Sequence, residues 1–530
     1  MRVGKFNELG IWSNYFLIKI TLFLLGKMEF HFLGNLLLAL LLLLHLQGRP
    51  ARVLRQICAI GIAIVLLYVD AKIPLNAVAL ALINLPEYEW WYSLDVVLRL
   101  LSLQVVLIIA LLCIVNFYIS QYLEIGVIVF VGFLAMALLK SGIATPLFAT
   151  NYSIASNVSA SHGASAVPLP NSDQALNSYL QKFFQSEQSR TIEMTNTSQA
   201  MAPFDIVFIS ICSLAWDDIA LVGMNDHPMF NNFDIVFEKF NSASSYSGPA
   251  VTRLLRASCG QSPHEKLSVR DGVDHCLVFQ QLKHLGYEQA LLMNHDGRFD
   301  GFLNQLKVYG GIDASLASQV DIPVCQKAFD GSPVLCDRAV LDQWLKARNT
   351  SSVESQAVFF NTVSLHDGNR VVGENRLTGL ASYTRRLRIL LDDLQGFIDN
   401  LTQSDRNTLL ILIPEHGAAL RGDKMQLTGI REIPSPSITH IPVAIKFIGP
   451  RLKRVGGQVS VAADSSFLAI SALIANVMQQ NIFASNTFSP QSVVDGLPST
   501  AAVSQNEGSA VIHFGSSDYV TVDGKSWSRY

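Results

Sequence analysis

The stretch Leu409-Leu-Ile-Leu-Ile-Pro414, followed directly by Glu415-His416-Gly417, indicates both the fold and the chemistry of this chain. Its continuous apolar run is typical of a strand that is buried on both faces of a parallel sheet. Ligands of open α/β sheets bind outside the carboxyl ends of the strands. A carboxylate and an imidazole at such an end are therefore candidate metal ligands, although many strands simply end in solvated polar residues.

Two other apolar runs end in residues of the same kind. The run Asp205–Ile211 is followed by Cys212, and the run beginning at Val358 is followed by SLHDGN, which contains His366. Parallel strands end at one edge of a sheet, so the three ends should converge, and Cys, His and Glu are side chains that bind zinc. Considered alone, Cys212 would more simply be a small buried apolar residue.

The remaining pattern of residues 203–530 alternates strands with helices. This alternation predicts an α/β domain with a mostly parallel sheet and helices on both faces. The predicted strands are Asp205–Ile211, Ala290–Met293, Val358–Val363, Thr408–Ile413 and Pro442–Ile448, and predicted helices include Gly248–Ala257 and Thr378–Leu401.

Ser247 is the candidate nucleophile. It precedes Gly248 and Pro249, and because proline is favoured in the first helical turn, Ser247 should lie at or next to the N-cap of a helix. A capping role alone is one explanation. However, the free N–H groups at a helix N-terminus also suit a phosphate, and a metal-bound serine hydroxyl there would be activated to attack phosphorus.

The cysteine count is consistent with a metal site in an oxidising compartment. Five cysteines follow residue 203, and the sequence-local pairs are Cys259 with Cys276 and Cys325 with Cys336. This pairing leaves Cys212 unpaired, as a thiolate ligand would be. The sequence alone leaves the other connectivities open.

Apolar residues are concentrated before residue 145. The chain has 530 residues, of which 50% are hydrophobic, and we predict spans at about 12–27, 30–47, 54–70, 97–119 and 125–143. The first is short and contains Lys19, so an interfacial helix is an alternative. Arg49, Arg52 and Arg55 mark a cytoplasmic loop, which places the N-terminus inside and the chain beyond residue 144 outside.

Residues 146–202 are rich in Ser, Asn and Ala and predict a flexible tether between residues 1–145 and 203–530. One short helix is expected from Asp173 to Gln185, with Ser172 as its N-cap, packed on the second domain. The net charge of −3 gives no support for nucleic-acid binding.

Five motifs together resemble one family. These are ICSLAWDD (211–218), NSASSYSGPAVTRLLRASCGQ (241–261), SLHDGN (364–369), PEHGAAL (414–420) and ITHIPVAIKFIGP (438–450). They resemble the bacterial cellulose phosphoethanolamine transferases, and the resemblance covers nearly the whole chain. It implies a fold similar to that of the alkaline phosphatases and sulfatases, an α/β/α sandwich.

The resemblance also implies the roles of single residues. Zn²⁺ would be held by Cys212, Ser247, Glu415 and His416, with Ser247 as the nucleophile. His366 would contact the phosphoryl group and serve in acid–base steps. Tyr246 and Arg431 would bind substrate, and His440 would hold phosphate or a second metal unless it is only structural.

The implied reaction moves phosphoethanolamine from phosphatidylethanolamine to Ser247 and then to a glucose 6-hydroxyl of cellulose. The resemblance further implies a multi-pass inner-membrane protein with a periplasmic catalytic domain in contact with the cellulose synthase complex. Lipid A or another periplasmic glycan is an alternative acceptor, and a non-enzymatic scaffold is an alternative function. A sulfatase is disfavoured because Val251 stands where the sulfatase motif has arginine.

Overall fold

The computed structural model describes residues 12–24, 28, 30–44, 46–71, 118, 172–195, 201–270, 272–374 and 377–530. The chain divides into two compact units, Met1–Ser165 and Ala166–Tyr530. The predicted spans at 97–119 (apart from Tyr118) and 125–143 lie outside the described residues, as does the predicted tether between 146 and 171.

The first unit contains three described helices, α1 (Trp12–Leu24), α2 (Phe32–Leu43) and α3 (Arg49–Ala71). Only α3 among these has the length and composition to cross a bilayer. The 12 residues of α2 extend about 18 Å, which is shorter than the roughly 30 Å of a bilayer core. The predicted second span, 30–47, is therefore longer than the helix that forms.

The start of α3 differs from the predicted third span. The helix begins at Arg49 and not near residue 54, so the three arginines of the predicted loop lie in its first turns. The guanidinium of Arg55 donates hydrogen bonds to the carbonyl oxygens of Leu42 (2.9 Å) and Leu44 (2.7 Å). These bonds satisfy carbonyl groups at the end of α2, which have no acceptor role within that helix.

A buried polar cluster joins the three helices. Lys19 is 1% exposed and forms an ion pair with Asp70. The carboxylate of Asp70 also accepts hydrogen bonds from the His31 backbone (2.9 Å) and Asn35 Nδ2 (3.1 Å). The lysine that made the first predicted span look weak is thus paired inside the unit.

The second unit begins with α4 (Asp173–Glu187). Ser172 caps it by accepting a hydrogen bond from the Ala175 N–H (3.3 Å). Leu176, Phe183 and Phe184 of this helix pack against Val503 and Ile512. The helix therefore belongs to the second unit, on which it was expected to pack.

The strands of the second unit are β1 (Asp205–Ile211), β2 (Ile235–Asn241), β3 (Glu288–Met293), β4 (Val324–Lys327), β5 (Pro333–Leu335), β6 (Gln356–Thr362), β7 (Arg370–Val371), β8 (Thr408–Pro414), β9 (His440–Ile448), β10 (Lys453–Arg454), β11 (Val459–Val461), β12 (Thr487–Phe488), β13 (Val503–Asn506), β14 (Ser509–Phe514), β15 (Ser517–Thr521) and β16 (Ser528–Arg529). Its further helices are α5 (Trp216–Leu221), α6 (Pro228–Asn231), α7 (Ser247–Leu255), α8 (Val278–His284), α9 (Phe302–Val308), α10 (Asp337–Thr350), α11 (Gly379–Thr402), α12 (Pro436–Thr439), α13 (Phe467–Gln479) and α14 (Pro490–Val494). Short 3₁₀ turns lie at His264–Lys266, Asp274–Cys276, Phe299–Gly301 and Ile482–Ala484.

The central sheet has seven strands in the order β11-β2-β9-β8-β1-β6-β3. Strand β9 is antiparallel to both of its neighbours, and the other pairs are parallel. The prediction of a mostly parallel sheet is therefore confirmed. Strands β2 and β11 were not predicted. Glu238 and Lys239 interrupt the apolar run of β2, and β11 has only three residues.

Two apolar layers cover the sheet. Along β1, Ile206 and Phe208 join one core cluster with residues of α7, α8 and α13. The alternate residues Val207, Ile209 and Ile211 join a second cluster with residues of α10 and α11. Because successive side chains of a strand point to opposite faces, this division shows a helix–sheet–helix sandwich. The segment Phe467–Ala484, which begins with α13, is long and apolar enough to cross a membrane, but 72% of it is buried inside this unit.

Candidate metal centre and nucleophile

The strand ends that carry the predicted ligands are direct neighbours. Ile211 at the end of β1 is in register with Thr362 of β6 and with Pro414 of β8. The ladders continue one residue further, because Cys212 N donates to Thr362 O (3.0 Å) and Glu415 N donates to Ile211 O (2.9 Å). The parallel sheet therefore brings Cys212 and Glu415 to one edge, as predicted.

Cys212, Glu415 and His416 form a buried group of metal-binding side chains. One ligand atom from each lies within 4.8 Å of the others, and none of the three residues is more than 2% exposed. The other such group within the described residues contains Cys259 and Cys276, which are joined in a disulfide and cannot serve as thiolate ligands.

Ser247 is the first residue of α7, and Tyr246 is the N-cap. The Ser247 hydroxyl oxygen lies 3.1 Å from His416 Nε2 and 3.5 Å from Cys212 Sγ. The structure thus places Ser247 next to the cap, and its side chain faces the three ligands. Capping does not explain this serine.

Two groups lie close to His416 Nδ1, namely the Gly417 carbonyl oxygen and Arg431 Nη1 (3.1 Å), and the shorter contact favours one tautomer. His416 Nδ1 lies 2.9 Å from the carbonyl oxygen of Gly417, to which it can only donate. The lone pair of Nε2 then points towards Ser247. Ligating histidines are commonly oriented by such a bond from the other ring nitrogen. Burial, and then the charge of Arg431, hold the pKa of His416 well below its usual value, so the ring is neutral.

The electrostatics of the three ligands favour a cation. Burial raises the pKa of the Cys212 thiol to about 11, and the neighbouring Glu415 carboxylate adds to this shift. Burial also raises the pKa of Glu415, against the opposing effect of Ser247, Asn361 and Ser210. Glu415 Oε2 is buried and has no well-formed hydrogen bond within the described part of the chain. A thiolate, a carboxylate oxygen, an imidazole nitrogen and a serine hydroxyl together fit the tetrahedral donor set of Zn²⁺.

Two residues that the sequence analysis missed hold Glu415 in place. Its Oε1 accepts hydrogen bonds from Ser210 Oγ (3.1 Å) and Asn361 Nδ2 (2.5 Å). Both donors are fully buried. The signal was present in the sequence, because each is a polar residue near the end of an otherwise apolar strand, in DIVFISI and QAVFFNT.

The chain reverses direction immediately after Cys212. Ser213 has a φ of 68°, which lies in the left-handed backbone region that residues other than glycine rarely adopt. Its carbonyl oxygen accepts a hydrogen bond from the hydroxyl of the buried Tyr383 (2.7 Å). Leu214 N then donates to His416 O (2.6 Å), and this bond connects the turn to the candidate ligands that follow β8.

His366 stands on the loop that follows β6. Its Nδ1 lies 2.9 Å from the Asp367 carbonyl oxygen, and its ring centroid lies 5.1 Å from that of Phe329. Burial and the charge of Arg431 lower the pKa of His366 to about 4. The imidazole is therefore neutral near pH 7.

The three predicted substrate-binding residues have different surroundings. Arg431 Nη1 lies 3.1 Å from His416 Nδ1, and the Arg431 guanidinium lies 5.7 Å from the Tyr246 ring centroid. The Tyr246 hydroxyl donates to Glu432 Oε1 (2.9 Å). Within the described residues, the ring contact of His440 is with the Glu238 carbonyl oxygen and not with the ligands. The structure thus brings Arg431 and Tyr246 to the site, but gives His440 no contact with it.

The four remaining cysteines of the second unit pair locally. The structure joins Cys259 to Cys276 and Cys325 to Cys336. Among the described cysteines, Cys58 and Cys212 are free.

The comparisons with known proteins identify the family. Residues 12–138 match the family model for the cellulose biosynthesis protein BcsG N-terminal domain, and residues 159–527 match that for its C-terminal domain. The chain belongs to the BcsG family. It is 36% identical to cellulose biosynthesis protein BcsG of Escherichia coli K12, over 98% of this chain and 96% of that protein. It is 34% identical to the BcsG protein of Salmonella typhimurium, with the same coverage.

Solved structures also resemble part of this chain. One is a protein of the alkaline phosphatase superfamily from Vibrio parahaemolyticus (14% identity, TM-score 0.45, covering 67% of this chain and 87% of that one). Another is the periplasmic domain of EptC from Escherichia coli in complex with Zn (13% identity, TM-score 0.39, covering 60% and 93%).

Proposed function

We propose that this BcsG-family protein is a zinc-dependent transferase that moves phosphoethanolamine from phosphatidylethanolamine to the 6-hydroxyl of cellulose glucose units. One observation carries the proposal. The hydroxyl of Ser247, at the N-terminus of α7, lies 3.1 Å from His416 Nε2 and beside a buried thiol and carboxyl group. This arrangement suits a nucleophile far better than a helix cap.

The metal would be held by Cys212, Glu415 and His416, with the Ser247 oxygen as a fourth donor. Bound Zn²⁺ lowers the pKa of a coordinated hydroxyl and withdraws charge from phosphoryl oxygens. Asn361 and Ser210 keep the Glu415 carboxylate oriented. The carbonyl of Gly417 keeps the Nε2 lone pair of His416 directed at Ser247.

The residues around Ser247 suit a two-step phosphoryl transfer. In the first step the Ser247 hydroxyl loses its proton as its oxygen bonds to phosphorus, the bond from phosphorus to the diacylglycerol oxygen breaks, and that oxygen takes up a proton. In the second step the glucose 6-hydroxyl loses its proton as its oxygen bonds to phosphorus, the bond to Ser247 breaks, and the Ser247 oxygen takes up a proton. His366, whose imidazole is neutral near pH 7, is the residue that we propose for these proton transfers. Arg431 and the free N–H groups of α7 favour the negative phosphoryl oxygens.

Three observations support the two substrates and the location. Membership of the BcsG family supports cellulose as the acceptor. Helix α3 has the length and composition of a membrane span, which would keep the protein beside a lipid donor. Two disulfides in the second unit favour an oxidising compartment such as the periplasm. Contact with the cellulose synthase complex is part of the same proposal.

The deciding experiment compares cellulose and lipid A from cells with and without the gene. Solid-state NMR measures phosphoethanolamine on the cellulose, and mass spectrometry measures it on the lipid A. We expect deletion to leave cellulose that lacks phosphoethanolamine, with lipid A unchanged, and Ser247→Ala to reproduce this result. Loss from lipid A with unaltered cellulose would support the alternative acceptor. Full function of the Ser247→Ala protein would remove Ser247 from the nucleophile role, and a purified wild-type protein without zinc or phosphodiester turnover would support a scaffold role.

A further inference from the structure

A buried arginine that has no hydrogen-bond partner among the described residues lies on the same helix as Ser247, near its opposite end. Arg253 is 5% exposed. Its Nε, Nη1 and Nη2 atoms are buried, and none has a hydrogen-bond partner within the described residues. Burial lowers the pKa of Arg253 to about 9, so it remains charged near pH 7. An unpaired buried charge is strongly destabilising, and something must compensate it.

A second arginine extends the positive charge. Arg256 donates from Nε to Tyr309 O (3.0 Å) and from Nη1 to Lys266 O (3.2 Å). Its Nη2 is buried and has no partner in the described part of the chain. Arg253 and Arg256 line one cavity of about 20 Å³.

The neighbouring carboxylates do not neutralise this charge. Glu265 is the acidic residue that most favours charged Arg253, but it is exposed to solvent. Buried Glu187 is already engaged, because its two oxygens accept from Arg190 Nη1 (2.6 Å) and Gln261 N (2.9 Å).

A helix N-terminus lines the same cavity. Ser466, Phe467 and Leu468 are the N-cap and first residues of the 13-residue helix α13. The side chain of Ser466 does not cap this helix; its hydroxyl donates to Thr500 Oγ1 (2.9 Å) instead. The first N–H groups of a helix have no intrahelical acceptor, and this end of the helix dipole is positive. Two arginines and a helix N-terminus therefore meet around one small space.

We propose that this cavity binds a small monovalent anion of the size of chloride, which links α7 to α13. Its volume of about 20 Å³ exceeds the roughly 10–15 Å³ that one water molecule requires, so there is room for a small anion. The anion would pair with Arg253 and Arg256 and accept hydrogen bonds from the start of α13. The competing occupant is an ordered water between Arg253 and Gln261 Oε1, a buried acceptor that also lacks a partner within the described residues.

Thermal unfolding of the purified full chain tests the proposal. Chloride is titrated against gluconate, a much larger organic anion, at constant ionic strength. Binding to the folded state should raise Tm by roughly 2 °C at ten times Kd, in a saturable manner. Arg253→Met should abolish this response. The matched control is Arg385→Met, at an exposed arginine that pairs with Glu374, and it should respond like the wild type.

An equal response in all three proteins would overturn the proposal. Anomalous diffraction from wild-type crystals grown in bromide gives a second readout that does not depend on the folding of any variant. A bromide peak within hydrogen-bonding distance of Arg253 is expected. Ordered water density without an anomalous signal would show that water fills the cavity.

Discussion

Ser247 Oγ and His416 Nε2 lie 3.1 Å apart, although 169 residues separate them in the chain. The contact joins the first residue of α7 to the end of β8. Neither element alone predicts it, because each has an ordinary local explanation as a helix start or a strand end. The parallel sheet makes the two meet, and a helix N-terminus beside three zinc-type ligands is suited to holding a phosphoryl group.

Replacing Ser247 with alanine should abolish transfer and leave the fold intact. The hydroxyl contacts His416 and Cys212 and caps nothing, so its loss should cost less than the ~1 kcal/mol of a lost N-cap. Phosphoethanolamine on isolated cellulose measures activity, and thermal unfolding measures the fold. Ser268→Ala, in an exposed loop, is the matched control and should behave as wild type. Wild-type transfer by Ser247→Ala would remove Ser247 from the nucleophile role.

The purified protein should contain close to one zinc per chain, and chelation should remove its activity. Cys212→Ser and Glu415→Gln should each lower the zinc content, since a zinc site normally needs at least three protein ligands. Metal analysis of the purified proteins measures this. Cys58→Ser is the control, because Cys58 is the other described free cysteine and is exposed. Full zinc occupancy in both ligand variants would refute the site.

Asn361→Leu should weaken zinc binding although Asn361 is not a ligand. The change removes the 2.5 Å hydrogen bond to Glu415 Oε1, and loss of a residue that orients a ligand typically costs ~10–100-fold in metal affinity. Competition with a chromophoric chelator measures the affinity. Asn361→Ser keeps a donor and should recover part of it. Unchanged affinity in Asn361→Leu would mean that Ser210 alone orients Glu415.

The convergence of ligands was predictable because it follows from one property, the direction of the strands. Apolar runs that end in Cys212 and Glu415 become neighbours in any parallel sheet with this order. The residues that support the ligands were not predicted. Asn361 and Ser210 lie inside buried strands, where a polar residue is informative only once its hydrogen-bond partner is known. The role of His440 stays a prediction, because its ring contacts the Glu238 carbonyl oxygen and a purely structural histidine was the stated alternative.

In the first unit, the hydropathy of the sequence is a poor guide to where each helix begins and ends. The leucine-rich run predicted a long second span, but α2 ends at Leu43, where Arg55 reaches its last carbonyl groups. The pairing of Lys19 with Asp70 depends on contacts between helices. Hydropathy is a property of each segment by itself and does not report contacts between helices.

The last prediction concerns the stability of the fold below pH 7. Asp337 is 3% exposed at the start of α10, and its carboxylate accepts hydrogen bonds from Asn294 (3.0 Å) and Ser364 (2.5 Å). Burial outweighs these bonds and raises the pKa of Asp337 to about 7. The folded state therefore binds a proton more tightly than the unfolded state does. Ionisation of Asp337 should then lower the free energy of unfolding as pH rises from about 4 to about 7, by up to ~4 kcal/mol.

Asp337→Asn should reduce this pH dependence, because an amide of the same shape stays neutral and can bond to Asn294 and Ser364. Buried Asp218, whose pKa is also raised to about 7, acts in the same direction, so the variant should retain part of the slope. Urea unfolding of the full chain at pH 4.5 and pH 7.5 measures the difference. The stability of Asp337→Asn relative to wild type should increase between the two pH values, while the exposed Asp405→Asn control should show no such change. A constant difference between Asp337→Asn and wild type would show that Asp337 is already ionised in the folded protein at pH 4.5.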